Sequence, residues 1–450
     1  MTTAATINVP DLIDEQKVGS FQIQILILCA LAALLDGFAA QMIGYLAPSV
    51  AREMRLSPAA LTPVFAWGLV GLMLGALIFG PVADRFGRKP VIVLCTLFYG
   101  LVTLATAKAD SATSLAILRF FAGLGFGGVM PNAIAMTAEY SPHRLRGTMI
   151  TIMFCGFPIG ATIAGFAAVP ILHLWSWRAV FALAGAMPLL LAPVLAVLLP
   201  ESIRHLVIHG GDSARVARLL ARVNARLVFP ADTNFVVREE RACGIPVFHL
   251  FRNGRAASTI LLWIGFFMSL IDIYLLTSWL PTVFHNAGIT LSLSVMATAA
   301  FQGGGVVASL ALGSLVDRFG SYRVLSLTYF LGAVCVALLG YSHSIGAIIL
   351  CTFFAGAGVI GGQTGANALA ASFYPTYIRS TGVGWALGIG RIGSVVGPVF
   401  GGIMLSHHLP LTSVFLAGAV PSLIGGGAIF LMGRAQKFAS ANVPIEVAAS

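Results

Sequence analysis

Charged residues are scarce in this sequence. Asp, Glu, Lys and Arg make up 9% of its 450 residues, whereas an ordinary soluble domain has about a quarter. This scarcity excludes an ordinary soluble domain, and it also excludes a disordered chain, which is rich in charge. Segments of alternating polar and apolar residues are missing as well, which argues against a transmembrane β-barrel.

Cysteine and histidine show none of the spacings that indicate a metal site. The six cysteines contain no Cys-x-x-Cys pair, and all but Cys243 lie inside apolar runs, so we interpret them as packing residues. The nine histidines fall in loops or at the ends of the runs. A nucleophile with a neighbouring base is also missing. We therefore expect no metal, no cofactor and no enzyme active site.

Long apolar runs dominate the rest of the sequence. Hydrophobic residues make up 58% of the chain and the mean hydropathy is +0.93. A membrane-spanning helix takes about 20 apolar residues. Twelve runs bounded by charges or proline fit this length, at 21–48, 60–82, 90–107, 113–138, 147–169, 179–199, 257–284, 291–316, 324–341, 345–371, 381–404 and 411–433. The sequence therefore predicts an all-α membrane protein with twelve transmembrane helices.

The positions of Lys and Arg predict how these spans are oriented. With a cytoplasmic N-terminus, the inside segments hold 20 of the 26 basic residues and the outside loops hold 4, as the positive-inside rule requires. The first twenty residues lack the basic start of a cleaved signal peptide. We therefore expect both termini in the cytoplasm, in a plasma membrane or bacterial inner membrane. The net charge of +10 reflects this topology, and nucleic acid is not expected as a partner because the basic residues form no patch.

The topology divides the chain into two bundles, a linker and two tails. The parts are a cytoplasmic tail at 1–20, a six-helix bundle at 21–199, a cytoplasmic linker at 200–256, a second bundle at 257–433 and a cytoplasmic tail at 434–450. Within the linker, arginines recur at three- and four-residue spacing from Asp212 to Arg226, which indicates an amphipathic helix. This helix is either a surface linker or a contact for lipid headgroups.

An internal repeat relates the two bundles. The segment Gly80-Pro-Val-Ala-Asp84-Arg85-Phe86-Gly87 recurs as Gly313-Ser-Leu-Val-Asp317-Arg318-Phe319-Gly320, at an offset of 233 residues. The same offset carries Phe121-Ala122-Gly123 onto Phe354-Ala355-Gly356 and Arg146 onto Arg379. One constant shift over three motifs predicts two homologous six-helix bundles in parallel orientation, an arrangement that transporters use.

The doubled loop resembles the signature loop of the major facilitator superfamily. The resemblance implies two pseudo-symmetric six-helix bundles that work by alternating access, and it covers all twelve spans. In that superfamily the acidic residue of the loop latches the two halves on the cytoplasmic side. By this resemblance, and because Glu139 precedes the basic residues of the next loop, we predict a cytoplasmic gate of Asp84, Arg85, Arg88, Glu139, Arg146, Asp317, Arg318 and Arg379.

A finer resemblance lies in three spans. Asp36-Gly37-Phe38 in the first span, Ser278-Trp279-Leu280-Pro281 in the seventh and Gly390-Arg391-Ile392-Gly393 in the eleventh resemble the aromatic acid:proton symporters, which take hydroxybenzoate-, protocatechuate- or benzoate-type acids. The first span of that family reads Asp-Gly-Phe/Tyr-Asp. This chain has Ala39 in place of the second Asp, which calls its proton coupling into question.

Charged residues inside the apolar runs are the first candidates for function. Each costs about 2.5–3.5 kcal/mol to insert at a helix centre, so several of them indicate function or mutual pairing. We predict proton coupling by Asp36, Asp272 and Arg119. Arg391 is the best partner for a substrate carboxylate, because a guanidinium binds a carboxylate with two hydrogen bonds. An ion pair that only fixes the helices is the alternative for each residue.

Polar and aromatic side chains complete the predicted substrate site. Gln41, Asn132 and Gln363 have amides that can bond a ring hydroxyl, and Phe38, Tyr274 and Trp279 can contact an aromatic ring. Hydrogen bonds between helices and simple packing are the alternative roles.

Together these features predict a secondary transporter that imports a small aromatic carboxylate with protons and works as a monomer in the lipid bilayer. Four alternatives stay open: an efflux antiporter of the same fold, a sugar or organic-acid porter, a receptor or scaffold, and a variant that binds substrate but transports poorly because of Ala39. Helix 5 reads Gly156-Phe157-Pro158 and lacks the Gly-Pro kink usual in antiporters of the superfamily, which disfavours efflux.

Overall fold

The computed structural model describes residues 6–209, 213–224, 227, 229–230, 233–237, 246–252, 254–342, 344–374, 378–407 and 409–441. The side chains of Pro58, Pro246, Asp317, Arg379, Ser380 and 437–441 lie outside this description. The chain divides into two compact units, Met1–Glu240 and Arg241–Ser450.

Twelve helices in the described part are long and apolar enough to cross a membrane, which confirms the predicted number. In the first unit these are α2 (Ser20–Glu53), α3 (Thr62–Phe86), α4 (Arg88–Thr106), α5 (Ala112–Tyr140), α6 (His143–Leu174) and α7 (Trp177–Leu198). In the second unit they are α10 (Ala256–Asn286), α11 (Leu291–Phe319), α12 (Ser321–Leu339), α13 (Ile345–Phe373), α14 (Arg379–Ser406) and α15 (Leu411–Ala441).

Shorter elements lie at the N-terminus and in the predicted linker. Strand β1 (Thr6–Asn8) pairs in parallel with β2 (Asn234–Val236). The short helices are α1 (Val9–Asp14), α8 (Ile203–Ile208) and α9 (Ser213–Val223), with 3-10 turns at Pro58–Leu61 and Pro246–Leu250. The described part of the predicted tail at 1–20 therefore contains a strand and a helix. The sequence did not indicate the strand, because the strand with which it pairs lies far along the chain.

The repeat seen in the sequence is also present in the packing. In the first unit α2 packs on α6, α3 on α5 and α4 on α7. In the second unit the equivalent pairs are α10 with α14, α11 with α13 and α12 with α15. Each unit is therefore a six-helix bundle built on the same three helix pairs.

The loop motif has the same backbone in both copies. Gly87 follows α3 with φ 101° and Gly320 follows α11 with φ 86°. Only glycine adopts such values without strain, so the two glycines allow the tight turn between consecutive helices.

The first span is longer than predicted, because α2 continues through Pro48 to Glu53. Proline removes one backbone hydrogen bond, and close packing against neighbouring helices lets a transmembrane helix continue past it. Residues 41–51 of this helix are all buried, which explains why the proline does not end it.

Candidate functional site

Asp36 and Arg119 form the buried charged centre of the first unit. Asp36 on α2 is 1% exposed and Arg119 on α5 is 5% exposed, and the two side chains interact electrostatically. The Arg119 guanidinium also donates to the carbonyls of Ala39 at 3.3 Å and Ala40 at 3.0 Å. It lies over the ring of Phe126, 5.7 Å from the ring centroid.

The bonds from Arg119 to backbone carbonyls are contacts that the sequence did not indicate. Arg119 binds the backbone at Ala39, the position where the resemblance leads one to expect a second Asp. Because the carbonyls of a helix are normally used within the helix, only the packing of α5 on α2 reveals this contact. Arg119 therefore connects two helices through both a carboxylate and two carbonyls.

Glycine allows a second helix to approach the same part of α2. A Cβ atom added at Gly37 would overlap the carbonyl oxygen of Phe157 on α6, and one added at Gly160 would overlap that of Leu34. Close approach through small residues is the usual way in which membrane helices pack. Asp36 is consequently held beside a tight contact between α2 and α6.

The other predicted polar and aromatic residues of the first unit are buried. Asn132 donates to the carbonyls of Gly128 at 2.8 Å and Phe79 at 3.4 Å. Gln41 is 6% exposed and Phe38 is 2% exposed. The bond to Phe79 connects α5 to α3, which is the alternative role of Asn132, whereas Gly128 lies on α5 itself. The part that these residues play in binding stays a prediction.

A different arrangement surrounds the buried charge of the second unit. Asp272 on α10 is 0% exposed, and the hydroxyl of Ser422 on α15 donates to its Oδ2 atom. Its Oδ1 atom accepts no hydrogen bond from the residues that the structure describes. The hydroxyl of Tyr329 on α12 lies beside Ser269 and interacts electrostatically with Asp272. Sequence reasoning singled out Asp272 and missed Ser422, whose only signal is a hydroxyl within the last apolar run.

Arg391 differs from the other cations inside the spans. It lies on α14, in contact with α10, and its side chain is half-buried. Within the described parts of the chain, its guanidinium forms neither an ion pair nor a hydrogen bond. A partly accessible guanidinium can bind an anion through two parallel N–H groups.

The remaining predicted residues of the second unit, Gln363, Tyr274 and Trp279, are all buried. Gln363 is 8% exposed; it donates to Asn367 at 3.2 Å, and its carbonyl oxygen has no partner in the described structure. Tyr274 is 9% exposed. Trp279 donates to the carbonyl of Pro398 at 2.9 Å, so it connects α10 to α14. Its proposed contact with a substrate ring stays a prediction beside this packing role.

A polar cluster lies at the Asp84 end of the first unit. Arg88 forms an ion pair with Glu139 and lies 3.8 Å from Asp84. Glu139 also accepts a hydrogen bond from Ser202 at 2.6 Å. The structure thus brings together three of the predicted gate residues of the first unit. Asp84 is the most exposed of them, with 76% of its side chain accessible.

Glu201 is a member of this cluster that sequence reasoning missed. Its carboxylate accepts the backbone N–H groups of Arg88 at 2.9 Å and Lys89 at 3.2 Å. These N–H groups begin helix α4 and have no partner within the helix. A negative charge at a helix N-terminus is also favourable for electrostatic reasons. The position of Glu201 directly after the sixth span was the only signal in the sequence.

Of the other predicted gate residues, those whose side chains the structure describes do not join this ion pair. Arg146 lies 3.8 Å from Asp14 of the N-terminal segment. Arg85 and Arg318 are exposed and lie over the rings of Phe86 and Phe319, which is a further agreement between the two copies of the motif. The side chains of Asp317 and Arg379 lie outside the described part.

Comparison with known proteins agrees with this architecture. The model of the Major Facilitator Superfamily matches residues 29–286 and 262–447. A solved structure of the xylose transporter XylE from E. coli has a TM-score of 0.68 and 16% identity, and the match covers 96% of this chain and 100% of that one. At this identity the structural likeness shows the fold alone.

Two relatives are similar over nearly the whole chain. A gallate transporter of Pseudomonas putida is 39% identical over 435 residues, which are 96% of this chain and 96% of that protein. The 4-hydroxybenzoate transporter PcaK of Pseudomonas aeruginosa is 38% identical over 431 residues, covering 95% of this chain and 96% of that protein. The matched family and both relatives are named as transporters and not as enzymes. They show that the chain belongs to the major facilitator superfamily, in its aromatic acid:proton symporter branch.

Proposed function

We propose that this protein imports a small aromatic carboxylate of the hydroxybenzoate or benzoate type together with protons, by alternating access. The observation that carries the proposal is Arg391, a half-buried guanidinium within a membrane helix that has no ion pair in the described structure. Relatives that are named transporters of gallate and of 4-hydroxybenzoate, both aromatic carboxylates, support the choice of substrate class.

The chemistry of Arg391 suits this ligand. A guanidinium presents two parallel N–H groups to a carboxylate, and the pair is stronger in a site that excludes water. A small acid with a ring also needs apolar and amide contacts for its other end. We propose that Gln41, Asn132, Gln363, Phe38, Tyr274 and Trp279 contribute these contacts.

Proton coupling has an electrical reason. An anion that enters a negative-inside cell moves against the membrane potential, at about 2.3 kcal/mol per charge and 100 mV. A proton carried with each anion removes that cost. We propose that Asp36, Asp272 and Arg119 are the residues that couple proton and substrate.

The remaining parts of the proposal concern the setting. The protein is a multi-pass membrane protein, and we place it in the plasma or bacterial inner membrane with both termini in the cytoplasm, where it acts as a monomer. The Asp84 end of the first unit then faces the cytoplasm, and the Arg88–Glu139 ion pair forms part of its gate. The repeat copy contributes Asp317, Arg318 and Arg379 to the same gate.

Arg391→Ala tests the proposal in proteoliposomes loaded with the purified protein. We expect uptake of labelled 4-hydroxybenzoate under an inward proton gradient by the parent protein. The variant should bind this acid at least about thirtyfold more weakly, because losing the charged partner of a buried ion costs about 2–5 kcal/mol. Arg391→Lys should recover little, since an ammonium lacks the planar fork.

Parallel measurements separate this function from its alternatives. Xylose and an uncharged aromatic amide serve as negative substrates, and uptake of either would contradict a carboxylate site. Outward movement of the acid that is driven by an inward proton gradient would indicate an antiporter. Binding without uptake would indicate a protein that no longer transports. Parent-like transport by Arg391→Lys would exclude the two-bond contact.

A further inference from the structure

We infer that Asp272 is the carboxyl group that takes up and releases the transported proton, that Ser422 positions it, and that Asp36 acts as the counter-ion of Arg119. The inference rests on the proposed proton symport and identifies the side chain responsible for it. It assigns the role to α10 of the second unit instead of α2 of the first.

The burial of Asp272 is the first argument. The residue is 0% exposed, and no Lys, Arg or His in the described part of the chain forms an ion pair with it. Its only hydrogen-bond donor there is Ser422. A charged carboxylate that is removed from water without a cation is energetically costly. Binding a proton relieves this cost, and a carboxyl group in this environment is therefore a proton carrier.

Asp36 contrasts with Asp272 because it has a cation beside it. Its electrostatic partner Arg119 is fixed by two backbone carbonyls and by the face of Phe126. A neighbouring guanidinium favours the ionised form of a carboxyl group. Asp36 and Arg119 thus form a neutral pair that needs no proton.

The internal repeat shows that the two units carry their carboxylates at different positions. The offset of 233 residues places Ser269 at the position of Asp36, and Asp272 at the position of Ala39. Each unit thus has one carboxylate in this stretch, one helical turn apart between the two copies. The second carboxylate of the family's first span is absent from α2, and the equivalent position of α10 has one.

The residues around the two carboxylates also differ between the units. The same offset places Thr352 at the position of Arg119, and Ser422 at the position of Leu189. The hydroxyl of Thr352 donates to the carbonyl of Ile348 on its own helix. At these positions the second unit thus has Thr352 instead of the cation Arg119, and the hydroxyl donor Ser422 instead of Leu189. Without a cation beside it, a buried carboxyl favours its protonated form, and the hydroxyl can bond the ionised form after the proton has left.

The helices around α10 present few other ionisable groups to Asp272. These helices are α11, α13, α14 and α15; α13 has no charged residue and Arg391 on α14 forms no ion pair in the described structure. Tyr329 on α12 interacts electrostatically with Asp272, and Tyr274 lies two residues after it on α10 itself. The remaining Asp, Lys, Arg and His residues of α10 to α15, together with Tyr322, lie outside the apolar runs of the sequence: His285, Asp317, Arg318, Tyr322, Arg323, Arg379, Arg434 and Lys437.

The chemical step is a simple protonation. The Asp272 carboxylate accepts a proton from hydronium on the outer side; an O–H bond of hydronium breaks, a water molecule is left, and an O–H bond forms at the carboxyl group. The same bond breaks when the group reaches water on the inner side, and the proton leaves as hydronium. No redox or covalent partner is needed, and one charge accompanies one carboxylate substrate.

Asp272→Asn provides the main test, with two measurements on the same proteoliposomes. Exchange of labelled against unlabelled 4-hydroxybenzoate without a gradient reports substrate movement alone. Accumulation under an inward proton gradient reports coupling. We expect the variant to exchange substrate but to lose gradient-driven accumulation, because an amide takes the place of the carboxyl and cannot carry the proton. Asp36→Asn should instead impair exchange, because it leaves Arg119 without its counter-ion.

Ser422→Ala supplies an independent measurement that does not require loss of function. Removing the hydroxyl changes the environment of the carboxyl, so the pH of half-maximal uptake should move. Ser326→Ala is the matched control: Ser326 is also a buried serine, and its hydroxyl bonds the carbonyl of Tyr322 on its own helix. The control should keep the pH profile of the parent.

Three outcomes would overturn the inference. The first is parent-like accumulation by Asp272→Asn. The second is accumulation driven by sodium and insensitive to pH. The third outcome applies if Asp272→Asn is lost during purification. It is a pH profile of uptake that stays unchanged in both Ser422→Ala and Asp272→Glu. A parent protein that moves no aromatic acid at all would instead contradict the proposed function, so the two failures are distinguishable.

Discussion

At the scale of single residues, small side chains determine where charged ones are held. Gly37 brings α6 against the turn of α2 that carries Asp36. Arg119 on α5 bonds the carbonyls of Ala39 and Ala40 in the same part of α2. The charged centre of the first unit therefore depends on a residue that has no side chain.

Gly37→Ala should destabilise the protein although alanine is the better helix former. The new methyl group would overlap the carbonyl oxygen of Phe157, and overpacking of this kind costs about 1–3 kcal/mol. Thermal unfolding in detergent measures the loss. Gly427→Ala on α15 is the control, because nothing lies within 4 Å of its added Cβ. Equal stability of the two variants would contradict the tight contact.

At the scale of helices, the beginning of α4 depends on a residue from beyond the sixth span. Gly87 has the positive φ that the turn requires. Glu201 then accepts the free N–H groups of Arg88 and Lys89. In the second unit the corresponding turn at Gly320 has nothing within 4 Å of the position of a Cβ. The two copies of the loop thus share a backbone and differ in how it is supported.

Glu201→Gln should lower the free energy of unfolding by about 1–2 kcal/mol, because a neutral amide is a weaker acceptor at a helix N-terminus. Chemical unfolding monitored by circular dichroism measures this change. Glu15→Gln serves as the control, since Glu15 is exposed. If both substitutions have the same small effect, the carboxylate of Glu201 does not support α4.

At the scale of the whole molecule, two copies of one bundle have acquired different chemistry. The first unit pairs its buried carboxylate with a cation, and the second unit gives its carboxylate only a hydroxyl donor. The first unit also has the ion-paired cluster around Arg88 and Glu139. The two copies thus share one architecture, and they differ in the partner that each gives to its buried carboxylate.

Asp84→Asn should slow transport several-fold and leave substrate affinity unchanged. The Asp84 side chain is exposed and 3.8 Å from Arg88, in the loop that we propose as part of the gate, and it lies at the end of α3 instead of within the span. Uptake rates together with equilibrium binding of 4-hydroxybenzoate separate the two effects. Loss of binding in this variant would place Asp84 in the substrate site and contradict a gate.

The sequence by itself determined the class of protein, the twelve spans and the twofold repeat. These features are local, because hydropathy and short motifs depend on neighbouring residues in the chain. It also indicated Asp36, Arg119, Asp272 and Arg391 as unusual, because charge inside an apolar run is visible without a structure.

Only the tertiary structure decided which partners these residues have. Ser422 is 150 positions from Asp272, Glu201 is 113 from Arg88, and Ala39 is 80 from Arg119. Such contacts depend on how each helix is rotated and on how closely it packs, which no local pattern encodes. Two carboxylates that look alike in the sequence therefore differ in the folded protein, since one is beside a cation and the other is beside a hydroxyl group.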